Sequence, residues 1–114
     1  MNVQIYMYKK NFDVQKAQRF FKERNIPFQT VDMKKHRPGE RELVLFAHKG
    51  GAKSLINQDL PKVKEHPISY TQDESIIFDY LQENPEFIKT PLIRDGRRTL
   101  IGYDEKTLLE WINA

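Results

Sequence analysis

The 114-residue chain has no cysteine. That excludes a disulfide framework, a thiolate nucleophile and any zinc site built on cysteine ligands. No apolar run approaches the ~20 residues that a membrane-spanning helix requires, so no membrane association is expected. The N-terminus, MNVQIYMYKKNF, lacks an apolar core followed by small residues. It therefore reads as no secretory signal, and a cytoplasmic location is expected. Gly50-Gly51 does not meet the spacing of a phosphate-cradling Walker loop. His36, His48 and His66 show neither HxH nor HxxxH spacing, so no metal site is expected. An excess of one charge is also missing. Nineteen basic residues stand against 16 acidic, a formal net charge of +3, which does not demand a nucleic-acid partner.

What is present is a chain of 39% hydrophobic and 31% charged residues, enough for one core. VQIYMY (3–8) is β-branched, aromatic and almost wholly apolar, as a strand buried on both faces is. Asn11 or Asp13 can then cap a helix. Val14, Ala17, Phe20, Phe21 and the stem of Arg24 follow at helical spacing, and NIP (25–27) ends it. FQTVDM (28–33) is a second strand, with Phe28, Thr30 and Asp32 on one face and Val31 on the other.

ERELVLFAHKGG (40–51) predicts a helix with Leu43, Val44, Phe46 and Ala47 apolar and Gly50 at its C-terminal stop. Pro61 and Pro67 interrupt the stretch after it. TQDESIIFDYLQENP (71–85) opens with Thr71 and Glu74 in capping-box spacing, and Ile76, Ile77, Tyr80 and Leu81 form its apolar stripe. TPLIRDGRRTLIGYD (90–104) reads as a hairpin turning at Asp95-Gly96. Asp104 caps a last helix that offers Leu108, Leu109, Trp111 and Ile112 to the core. The order is β-α-β, about 50 residues of helix, then β-β-α. This predicts an α/β chain of thioredoxin-like arrangement, with a mixed four-stranded sheet. It would be one domain over 1–114 carrying a helical insertion at about 36–88.

Three stretches carry a resemblance to a known family: IYMYKKNFDVQKAQRFFKERNIPFQTVDM at the front, FIKTPLI in the last third, and LIGYDEKTLLEWI at the end. In that order and spacing the chain resembles the ArsC/Spx group of arsenate reductases and Spx-type transcription regulators. The resemblance covers nearly the whole chain and implies a thioredoxin-like fold. It also implies a redox loop at the start of the first helix, where N–H groups and the helix dipole stabilise a thiolate and bind an oxyanion. Ungapped matching puts Asn11 at the nucleophilic cysteine position and Val14 at the second position of the Spx-type CxxC. The family's arginine after SLIN falls on Asp59, a reversed charge that repels an anion. The pair preceding the last strands is Thr90-Pro91, with Lys89 one residue earlier, and the resemblance implies a cis Pro91 facing the first loop.

The expectation is a non-catalytic binding or regulatory module with no cofactor. Lys9, Lys10, Asn11, Lys89, Thr90, Pro91, Arg97 and Arg98 are its candidate anion or partner site. Gly50 and Gly51 are a candidate protein contact, because Spx-type regulators use a glycine in this insertion to meet the C-terminal domain of the RNA polymerase α chain. Two alternatives stand beside this: an Spx-like transcription regulator contacting that domain of RNA polymerase, and an oxidoreductase of the arsenate reductase family. Without a thiol, an enzyme would need a hydroxyl such as that of Tyr8, Ser54 or Ser69, and none has a triad signature nearby.

Overall fold

The computed structural model describes residues 1–113. Four strands, β1 (Val3–Met7), β2 (Phe28–Asp32), β3 (Leu92–Asp95) and β4 (Arg98–Ile101), form one mixed sheet in the order β2-β1-β3-β4. Among the described residues five α-helices accompany it, besides short 3₁₀ turns: α1 (Phe12–Glu23), α2 (Glu40–Ala47), α3 (Pro61–Lys64), α4 (Glu74–Glu83) and α5 (Glu105–Asn113). The chain divides into two compact units. The first is Met1–Val31 with the segment from Thr90 onward, and the second is Asp32–Lys89, slightly wider than the expected insertion. Among the described residues no helix is long and apolar enough to cross a membrane.

In the first unit, α1 buries the four residues that its spacing predicts, Val14, Ala17, Phe20 and Phe21. Its end is set by Asn25, which takes the left-handed conformation at φ 54°. The Ile26 N–H then reaches back to Phe21 O (2.9 Å) and the Asn25 N–H to Lys22 O (3.2 Å). This is the Schellman stop, in which a left-handed residue lets its own amide and the next one satisfy orphan carbonyls. Arg24 lays its guanidinium 3.9 Å above the Phe20 ring. Val3, Ile5, Phe20, Phe21, Ile93 and Leu108 form the core, with Ile26, Phe28, Leu100, Tyr103, Trp111 and Ile112 packed around it. Leu109, expected to join them, is 36% exposed, because α5 turns only Leu108 fully inward.

β1 and β3 pair antiparallel from Val3↔Asp95 to Tyr6↔Leu92, and β3 and β4 from Leu92↔Ile101 to Asp95↔Arg98. The hairpin loop is Gly96-Arg97. Gly96 has φ 61° and Arg97 is not in the positive-φ region. That is the type II′ pattern, whose twist matches the strands it joins.

The second unit is helical. α2 ends at Ala47, three residues before Gly50, and a 3₁₀ turn over Ala52–Leu55 follows. Val44 faces out at 48% exposure. The cap of α4 is Asp73, not Thr71: the Asp73 carboxylate accepts from the Ser75 (2.9 Å) and Ile76 (3.3 Å) amides. Thr71 donates its hydroxyl to Pro67 O instead (2.6 Å), and Glu74 accepts the Ala52 N–H (3.3 Å). With the helix starting at Glu74, its inward stripe is Ile77, Phe78 and Leu81, and Ile76 is 43% exposed. The rings of Tyr80 and Phe87 stand edge-on to His66, at 4.7 and 5.0 Å.

Phe21 is fully buried and touches Phe20 edge-to-face at 5.1 Å between centroids. Phe21→Ala should destabilise the chain by about 3–5 kcal/mol through lost burial and the cavity it leaves. Urea denaturation followed by circular dichroism checks this.

Candidate functional site

The site is the junction of β1 and α1. Asn11 sits just outside the helix in extended conformation (φ −139°, ψ 173°). Its side-chain Oδ1 accepts the Val14 N–H at 2.7 Å, an N-cap that satisfies one of the helix's orphan donors. The backbone amide can only donate, so the oxygen must face it and Nδ2 turns away. Nδ2 donates to Thr90 Oγ1 at 3.1 Å. The Thr90-Pro91 peptide is cis. The Gly102 N–H donates to Pro91 O at 2.7 Å, which brings the end of β4 beside the same proline. Antiparallel pairing of β1 with β3 puts the exit of β1 and the entry of β3 at one end of the sheet, so the loop meets Thr90-Pro91.

The chemistry available here is that of an amide and a hydroxyl. Asn11 neither ionises nor attacks. Asp13, in the first helical turn, brings a carboxylate to the end of the helix that would favour an anion, with Lys16 4.0 Å away. Val14 is fully buried in the core. Among the described residues no group of three or more His, Cys, Asp or Glu side chains could hold a metal ion.

The candidate arginines do not join the candidate lysines. Lys9 and Lys10 are exposed on the loop beside Asn11. Arg97 and Arg98 are at the other end of the sheet, at the hairpin that faces Val3, with the length of β3 (about 10 Å at ~3.4 Å per residue) between them and Leu92. The expectation that they join the Asn11 loop is corrected by this register. Arg98 is moreover engaged: Nη2 binds the Asp95 carboxylate at 2.5 Å, Nη1 donates to Trp111 O at 3.1 Å, and its guanidinium lies 5.3 Å from the Trp111 ring centroid. It latches α5 to the hairpin. Lys89 is exposed and directly precedes Thr90, and its N–H donates to Leu55 O (2.7 Å). Asp59 is exposed ahead of α3 in the second unit.

Gly50 and Gly51 have internal reasons to be glycine. A Cβ on Gly50 would fall 2.8 Å from Ser54 Cβ, and one on Gly51, at φ 79°, would fall 2.8 Å from Glu74 Oε2. Sequence reasoning missed Phe12, the first residue of α1, which is 83% exposed beside Asn11. It falls outside the Val14, Ala17, Phe20, Phe21 stripe, and that phase was the available signal. It also missed Tyr103, which follows the end of β4. Burial raises its hydroxyl above the ordinary tyrosine range, and Glu105 adds to this.

A β1-α1-β2 motif and a β3-β4-α5 motif on one mixed four-stranded sheet, with a cis-proline entering β3, define a thioredoxin-like α/β protein. The chain belongs to the ArsC family, whose model matches residues 6–111. Among solved structures it is similar to an arsenate reductase from Vibrio cholerae, at 18% identity, TM-score 0.84, covering 96% of this chain and 97% of that one. It is similar also to an ArsC family related protein from Bacteroides fragilis (23%, TM-score 0.83, 96% and 97%). A third is an ArsC-related protein from Brucella melitensis (18%, TM-score 0.71, 100% and 97%). These likenesses concern the fold. Comparison with curated proteins gives no match.

The geometry of the cap and of the hairpin can each be tested by substitution. Asn11→Ala removes the helix cap and should cost about 1 kcal/mol, whereas Thr90→Val leaves the cap in place and Nδ2 free to bind water, costing distinctly less. Thermal melts of both variants decide it. Asp95 is held below the ordinary carboxylate range by the Arg98 hydrogen bond first, then by the Asn2 N–H. A depressed folded value means that the pair stabilises the fold above about pH 4 and stops doing so as pH falls through the lowered value. Arg98→Met should return Asp95 towards the ordinary range, as read by carboxyl-carbon NMR titration.

Proposed function

We propose that the chain is a binding or regulatory member of the ArsC family, acting in the cytoplasm, that does not reduce arsenate. The observation that carries this reading is Asn11 at the helix start. Reduction of arsenate by a thiol needs a sulfur that attacks arsenic and is then itself reduced. The amide can do neither, and no cysteine exists elsewhere in the 114 residues to replace it. The bonds from Asn11 to Val14 and Thr90 supply a structural reason for the residue to be an amide. The distance of Arg97 and Arg98 from the loop supports the same reading, since an oxyanion held by Lys9, Lys10 or Lys89 would have neither arginine beside it.

A contact between Gly50-Gly51 and the C-terminal domain of the RNA polymerase α chain is a narrower form of this proposal. Internal packing already accounts for both glycines, so no observation favours that partner over another protein. Titration calorimetry with the isolated domain addresses it directly.

The chain, assayed with arsenate, glutathione and glutaredoxin, should give background turnover; sustained reduction would refute the proposal. Asn11→Cys is the companion experiment. If the N–H groups of α1 still favour an anion at this position, the introduced thiol should titrate below ~8.5, the free-cysteine value. A value at or above it means that the helix start no longer stabilises a thiolate.

A further inference from the structure

Away from the Asn11 loop, α1 presents a second surface. Gln15, Gln18, Arg19 and Lys22 recur at i, i+3, i+4 and i+7, one stripe of a helix. With Phe28 they line an open groove of about 380 Å³ between α1 and β2. Arg19 and Lys22 are exposed, and no carboxylate lies within ion-pair distance of either among the described residues. Gln18 is bonded to Thr30 (3.2 Å), which ties the floor of the groove to the strand. The Phe28 ring, 6.2 Å from Phe21, gives an apolar wall.

The second, independent observation is the strand itself. β2 is an edge of the sheet. Edge strands are commonly guarded by charged side chains, a proline within the strand, or a bulge. Residues 28–31 are Phe, Gln, Thr and Val, with Pro27 before them; the one charge on the strand is Asp32 at its end, whose carboxylate accepts the Lys34 N–H at 2.9 Å and whose backbone oxygen is taken up by the turn that follows. No turn, loop or cap of the described chain hydrogen-bonds to the backbone of 28–31. Gln29 and Thr30 are exposed. The edge therefore offers backbone donors and acceptors to an added strand, and the groove beside it offers two cations, two amides and a ring to alternate side chains of that strand.

We infer that the β2 edge and its groove bind an extended acidic segment of a partner protein by strand addition. Charge selects this occupant. A second copy of the chain would bring its own Arg19 and Lys22 against the same pair, which repels, while glutamate or aspartate side chains at every second position would meet them. The inference rests on the binding role proposed above and gives it a surface.

The test uses the full ¹⁵N-labelled chain and two peptides, one alternating glutamate with valine and one alternating lysine with valine. The acidic peptide should shift the amides of Gln15, Gln18, Arg19, Lys22 and residues 28–31 saturably, slow hydrogen exchange in 28–31, and bind more weakly as salt rises. The lysine peptide should not bind. The R19E/K22E variant, altered only at exposed positions, should bind the acidic peptide about tenfold or more weakly and gain binding to the lysine peptide. Absence of a saturable shift, shifts confined to the Lys9-Lys10 loop, or unchanged affinity in R19E/K22E would each overturn the inference. So would self-association through 28–31 without peptide, which would make a second copy the occupant. These outcomes are read independently of arsenate turnover, so the loss of one reading is not mistaken for the loss of the other.

Discussion

One side chain ties the start of α1 to the entry of β3 in the first unit. Asn11 accepts from the first turn of α1 and donates to the threonine that precedes Pro91. Few residues can do both. A carboxylate accepts but cannot donate, a thiol is a weak partner in either direction, and alanine does neither. An amide keeps the helix capped and the β1 exit fastened to the β3 entry, and it carries no atom capable of thiol chemistry. The junction is thus kept as architecture. The Gly102 bond to Pro91 extends the same tie to the end of β4.

The sheet register then decides what the junction cannot gather. Because β1 and β3 run antiparallel, the Asn11 loop and the Gly96-Arg97 hairpin lie at opposite ends of β3. Arg98 is committed to Asp95 and Trp111 and holds α5 down. A modest positive net charge is spread over both ends rather than focused into an anion cradle. Two further exposed cations, Arg19 and Lys22, lie on one stripe of α1 beside an edge strand. That surface offers backbone pairing and exposed charge, whereas the loop offers lysines without Arg97 or Arg98.

Much of this was legible beforehand. The inward phase of α1, the Asp104 start of α5, the hairpin and the β-α-β to β-β-α order are local signals, and each local signal agrees with the fold. Asn11 as cap was legible because a cap is a short-range hydrogen bond between neighbours. What was not legible depends on partners distant in sequence. Whether Arg97 and Arg98 reach the loop depends on strand register. Thr71 lost the α4 cap because the Pro67 carbonyl took its hydroxyl and Asp73 stood nearer the helix start. The inward face of α4 is set by what it packs on, and it takes Phe78 inward while leaving Ile76 exposed. The α2 stop at Ala47, ahead of Gly50, is followed by a turn in which Glu74, more than 20 residues away, accepts the Ala52 amide. The α1–β2 groove needs β2 to be an edge, and strand order is not written in any one segment.

The claim at the centre of this account is that Asn11 is a fixed structural tie and not a ligand-binding group. Its side-chain amide resonance reports on that directly. Arsenate titration of the ¹⁵N-labelled chain, with nuclear Overhauser contacts recorded from the Asn11 Nδ2 protons, is the decisive measurement. The account predicts a contact to Thr90 and no saturable shift of the amide as arsenate is added. A solvent-averaged side chain without that contact, or a saturable shift with arsenate, would contradict it.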